Sequence, residues 1–99
     1  MNPIRILLAD DHEVVRLGIK ALLQQHAHLQ VIAEAASGDE AVRLALIQQP
    51  DVVVMDIRML GMSGVDACRQ IVDQLPSTRV IILTTFAEDD LLFAAIRAG

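Results

Sequence analysis

Ile4-Arg5-Ile6-Leu7-Leu8-Ala9-Asp10-Asp11 decides the fold of this chain. Six residues, five of them apolar, run straight into a pair of carboxylates. Apolar runs of strand length read as parallel strands buried on both faces. Two further runs repeat the pattern: Val52-Val53-Val54-Met55 ends at Asp56, and Val80-Ile81-Ile82-Leu83 ends at Thr84. Segments with helical spacing lie between them, so the predicted order is βαβαβαβα. In an open sheet of that kind, ligands bind outside the carboxyl ends of the strands. Asp10, Asp11, Asp56 and Thr84 are therefore expected to converge on one pocket. Three carboxylates in one place repel each other unless a cation offsets them, and oxygen donors suit a hard ion such as Mg²⁺.

Working outward, a helix is expected over roughly 12–25. It is apolar almost all round (Val14, Val15, Leu17, Ile19, Ala21, Leu22, Leu23), which predicts cover on more than one side. Residues 29–35 mix Gln30 and Glu34 with Val31 and Ile32, which suits an edge strand. Ser37-Gly38-Asp39-Glu40 is a capping box for a second helix, and Pro50-Asp51 ends it. A loop with Gly61 and Gly64 follows Asp56. A third helix then carries Val65, Cys68, Ile71 and Val72 at helical spacing and stops near Pro76. Glu88-Asp89-Asp90 favour the start of a fourth helix, for which Gly99 is a natural stop.

Composition narrows the function. At 99 residues the chain makes one small domain, 54% hydrophobic but only 2% aromatic, so its core is aliphatic. A formal charge of −5 argues against direct nucleic acid contact. The single cysteine, Cys68, excludes an internal disulfide and a cysteine-based zinc site. No apolar run approaches the ~20 residues of a membrane span, and the first residues do not read as a signal peptide. A soluble cytoplasmic protein is expected. His12, His26 and His28 show no metal-ligand spacing and are expected at the surface. Met55, Met59 and Met62 are expected to serve packing.

Ala9-Asp10-Asp11-His12, Val54-Met55-Asp56-Ile57-Arg58-Met59, Gly64 eight residues after Asp56, Leu83-Thr84-Thr85 and Ala95-Ile96-Arg97-Ala98-Gly99 together resemble the receiver domain of bacterial two-component response regulators. The similarity covers essentially the whole chain and is nearest to the NarL/FixJ-like subgroup with LuxR-type output domains. It implies a flavodoxin-like (CheY-like) doubly wound α/β sheet with strand order 2-1-3-4(-5). It also implies that residues 1–99 form a receiver whose fifth strand and helix are missing. By that resemblance Asp56 is the phosphoacceptor for a sensor histidine kinase. Asp10, Asp11, Asp56 and the backbone carbonyl of Arg58 hold Mg²⁺, Asp10 mainly through water. Thr84 hydrogen-bonds the phosphoryl group, and Arg58 and Phe86 tune its lifetime. Such a protein is a regulatory switch that catalyses its own phosphorylation and dephosphorylation, not a metabolic enzyme. Its output domain, DNA-binding and transcriptional, lies outside this chain.

Two features depart from the family. The fifth-strand lysine that contacts the phosphoryl group has no counterpart, since Lys20 is the only lysine and falls within the first helix. Leu60 stands where proline usually follows the methionine, which predicts a shifted loop. An apolar fourth strand left at a sheet edge predicts dimerisation, domain swapping or aggregation. Two alternatives stay open: a purely structural association module, and an aspartyl-phosphate hydrolase, although the latter wants a carboxylate where Arg58 stands.

Overall fold

The computed structural model describes residues 2–57, 59 and 62–83. Thr84, Phe86, Arg58, Leu60 and the expected fourth helix lie outside them. The described chain runs β1 (Ile4–Ala9), α1 (Glu13–Gln24), β2 (Leu29–Ala35), α2 (Gly38–Gln48), β3 (Val52–Asp56), α3 (Gly64–Gln74) and β4 (Arg79–Leu83). Each strand falls where an apolar run was read. The sheet is wholly parallel in the order β2-β1-β3-β4, as the resemblance implied. Chain order and sheet order differ because β1 pairs on both sides, with β2 and β3. The strand order thus reverses beside the carboxyl end of β1, which is where open α/β sheets place ligands.

Alternation along each strand divides the core into two layers. Leu7, Ala9, Val53, Met55 and Val80 face α2 and α3, which add Ala41, Ala45, Ala67, Cys68 and Ile71. Ile6, Leu8 and Val54 face the other way, toward Ile19 and Leu23 of α1. Alanines on α2 and α3 let the two helices sit close together over the sheet. Leu7, Val53 and Met55 are fully buried, and truncating a side chain of that size costs about 2–5 kcal/mol.

α1 departs from expectation. An all-round apolar helix predicts cover on several sides, yet none of its residues is buried. Val14 is 81% exposed, and Leu17 and Leu22 are open as well. Among the described residues only the sheet covers α1, because α2 and α3 both pack on the opposite face.

The amino-terminal end of the sheet is tied together by polar contacts. The Arg5 guanidinium donates to the carbonyls of Gln48 (2.8 Å) and Gln49 (2.9 Å), capping α2 where Gln49 takes the left-handed φ of 48°. Asp51 Oδ2 accepts from the Arg5 amide, and Thr78 Oγ1 donates to the Pro50 carbonyl, each at 2.8 Å.

Candidate functional site

At the opposite end, β1 and β3 stop side by side. Their ladder closes on Ala9–Met55, so Asp10 and Asp56 follow as neighbours at adjacent strand ends. Both are buried, Asp10 to 3% and Asp56 to 5% exposure, and Asp11 is half-buried beside them. Asp10, Asp11, His12 and Asp56 each present a ligand atom, and these atoms all lie within 4.8 Å of one another. The expected convergence of the acidic positions is therefore present in the geometry. Leu83 pairs with Asp56 across β4, which leaves Thr84 as the residue after that rung.

Local chemistry fixes each group. The Asp10 amide donates to the Ala35 carbonyl (3.0 Å), while the Asp10 carbonyl accepts from Arg16 Nη1 (2.7 Å). Asp10 Oδ1 accepts from the His12 amide at 2.8 Å, a short turn that starts α1. The N-cap residue itself is His12, and its side chain makes no capping bond. Ser, Thr, Asp or Asn is preferred there and is worth about 1 kcal/mol over a non-capping residue. The ring turns instead toward the carboxylates: Nδ1 lies 3.2 Å from Asp10 Oδ1 and 2.8 Å from Asp11 Oδ1. The shorter approach is a charge contact without hydrogen-bond alignment, so Asp11 Oδ1 is buried with no hydrogen-bond donor among the described residues.

Asp56 is held from below by α3. Gly64 donates to the Ile57 carbonyl at 2.8 Å. A Cβ at Gly64 would collide with the Asp56 carbonyl oxygen and come 2.8 Å from Ile57 Cα. Only glycine allows so close an approach. Ser63 caps α3 by accepting from the Asp66 amide at 3.2 Å.

The donor set fits a hard divalent cation. It offers three carboxylates, one with an undersatisfied oxygen, and no Lys or Arg is ion-paired with Asp10 or Asp11 among the described residues. Lys20 is committed elsewhere, 3.1 Å from Glu34, which also takes Arg16 at 3.2 Å.

Three residues escaped the sequence reading. His12 was expected at the surface with no metal spacing; its ring is 65% exposed, yet Nδ1 joins the acidic group. Arg16 orients the β1–α1 turn, and Ser63 anchors α3 beneath Asp56. Ser63-x-x-Asp66 was a signal for the last of these. The pairing of Glu40 is also shifted: its amide donates to Ser37 Oγ, but its carboxylate accepts from the Ala36 amide, one residue earlier than a capping box requires.

Comparison with known proteins points one way. Residues 6–99 match the response regulator receiver domain family. The chain is 47% identical to the transcriptional regulatory protein LiaR of Bacillus subtilis over 96 residues, covering 97% of this chain and 46% of LiaR. It is 43% identical to the response regulator VraR of Staphylococcus aureus over the same shares. The chain thus spans about half the length of these curated relatives. Among solved structures, the receiver domain of a NarL regulator from Mycobacterium tuberculosis superposes with a TM-score of 0.94 at 28% identity, covering 100% of this chain and 80% of that one. A LuxR-family regulator from Aurantimonas gives 0.92 at 37% identity, covering 99% and 70%.

Proposed function

The chain belongs to the receiver family of two-component response regulators, and from that premise we propose that Asp56 accepts a phosphoryl group from a sensor histidine kinase. The observation that carries the proposal is the convergence of Asp10, Asp11 and Asp56 at the switch point of the sheet.

One carboxylate oxygen of Asp56 attacks the phosphorus of the donor phosphohistidine. The P–O bond forms as the P–N bond breaks, and the imidazole leaves with the electron pair. Phosphoryl transfer asks the protein for alignment and charge neutralisation rather than covalent chemistry. Asp11, Asp10, Asp56 and the Arg58 carbonyl would hold Mg²⁺, which supplies the positive charge that offsets repulsion between Asp56 and the incoming phosphate. Asp11 presents its donor-free oxygen to that position. Asp10, tied to the His12 amide, acts through water. Gly64 and α3 keep Asp56 at the strand end. Thr84 hydrogen-bonds the new phosphoryl oxygens, and Arg58 and Phe86 limit the access of water to them.

The acyl phosphate brings a charge of roughly −2, enough to bias a two-state surface. Receivers are regulatory phosphoacceptors, not metabolic enzymes. The output here is a transcriptional, DNA-binding domain like those of the longer relatives, and the setting is the cytoplasm. No helix among the described residues is long and apolar enough to cross a membrane.

Intact mass after incubation with Mg²⁺ and a small-molecule phosphodonor tests the proposal. The expected result is one phosphoryl adduct on the parent and none on Asp56→Asn. An unmodified parent that circular dichroism shows to be folded would favour the association module instead, with the absence of a second lysine as the first cause to examine.

A further inference from the structure

We propose that His12 is a specificity-determining ligand of the acidic site, lending it a nitrogen donor that favours a transition-series divalent cation over Mg²⁺. The inference rests on the reading of Asp10, Asp11 and Asp56 as a cation site and adds the identity of the ion.

Three observations on one residue carry it. His12 occupies the N-cap of α1 without capping it, so helix formation does not explain where its ring points. Nδ1 stands 2.8 Å and 3.2 Å from two carboxylate oxygens of different residues, a place suited to positive charge. The ring is 65% exposed, which leaves it room to turn. The donor atoms of Asp10, Asp11, His12 and Asp56 lie within 4.8 Å of one another. An ion with bonds of about 2.1 Å bridges opposite donors about 4.2 Å apart, so a small rotation of the exposed imidazole closes the set.

Donor chemistry then sets preference. Mg²⁺ takes oxygen and gains little from an imidazole. Mn²⁺, Co²⁺ and Ni²⁺ accept imidazole nitrogen with affinity rising along that series. A site of carboxylates alone would rank these ions less steeply than one that includes Nδ1.

The test is calorimetric titration of the chain with Mg²⁺ and with Ni²⁺. It is run on a His26→Ala/His28→Ala background, because those two imidazoles, with ring centroids 5.8 Å apart, offer Ni²⁺ a site of their own. On that background His12→Ala is expected to weaken Ni²⁺ binding by about tenfold or more while Mg²⁺ affinity stays within about twofold. His12→Gln, which keeps a polar side chain without the ring nitrogen, is expected to behave like His12→Ala. Equal losses for both ions would reduce His12 to a clip that orients the carboxylates and overturn the proposal. No loss for either ion would overturn it as well. Asp11→Asn separates the two levels: if that variant left both ions bound as before, the cation site itself would be misplaced.

Discussion

At the residue scale, Gly64 and Cys68 carry consequences that side-chain size and burial make concrete. The backbone of Gly64 presses against the carbonyl of Asp56. Gly64→Ala is expected to cost about 1–3 kcal/mol in urea unfolding and to slow formation of the phosphoryl adduct, because relief of the clash moves Asp56. Unchanged unfolding and unchanged adduct formation would show that the contact relaxes at no cost. Burial raises the Cys68 thiol above its ordinary value, with nearby Arg69 opposing weakly. The folded state therefore favours the protonated thiol. Its contribution is complete below the unfolded value of about 8.5 and is lost as pH rises toward the folded one. Cys68→Ala is expected to flatten the alkaline fall in stability, read from denaturation midpoints between neutral and alkaline pH. Asp10, Asp11 and Asp56 were legible in the sequence because a carboxylate closing an apolar strand has a location as well as a charge. His12 was not. Its metal role needs no spacing within the sequence, only a strand end and an N-cap that meet a second strand end far along the chain.

At the scale of elements, the strands were readable because burial on both faces leaves near-continuous apolar runs, and the mixed run at 29–35 was readable as an edge for the same reason. Helix α1 was read with the right length but the wrong surroundings. Composition reports that a face is apolar, and only topology decides what covers it. The helix starts show the same division. Ser37 and Ser63 both cap through Oγ, to the amides of Glu40 and Asp66. Ser63→Ala and Ser37→Ala are each expected to destabilise the fold by about 1 kcal/mol, measured by chemical denaturation. Only Ser63→Ala should also lower the rate of adduct formation, since α3 alone abuts Asp56. Equal effects of the two variants on that rate would break the link between α3 and the site.

At the scale of the whole molecule, apolar surface is left on one side of the sheet. Val14, Leu17 and Leu22 of α1 and Ile81 of β4, itself 50% exposed, are all open to solvent. β4 is also the outer strand of the described sheet, and an open strand edge pairs readily with another chain. Self-association that increases with concentration is expected in sedimentation velocity. Ile81→Lys should weaken it, because a charge at an edge opposes strand pairing. A monomer at every concentration, for parent and variant alike, would contradict this.

The contacts of Arg5, Asp51 and Thr78 have a mechanical consequence. They clamp the strand ends farthest from the acidic site, tying β1 to the end of α2 and the entry of β3 to the entry of β4. A sheet held in this way behaves like a hand-fan pinned at its rivet. A push on one rib tip is passed from tip to tip across the open margin, and little of it travels down to the pin.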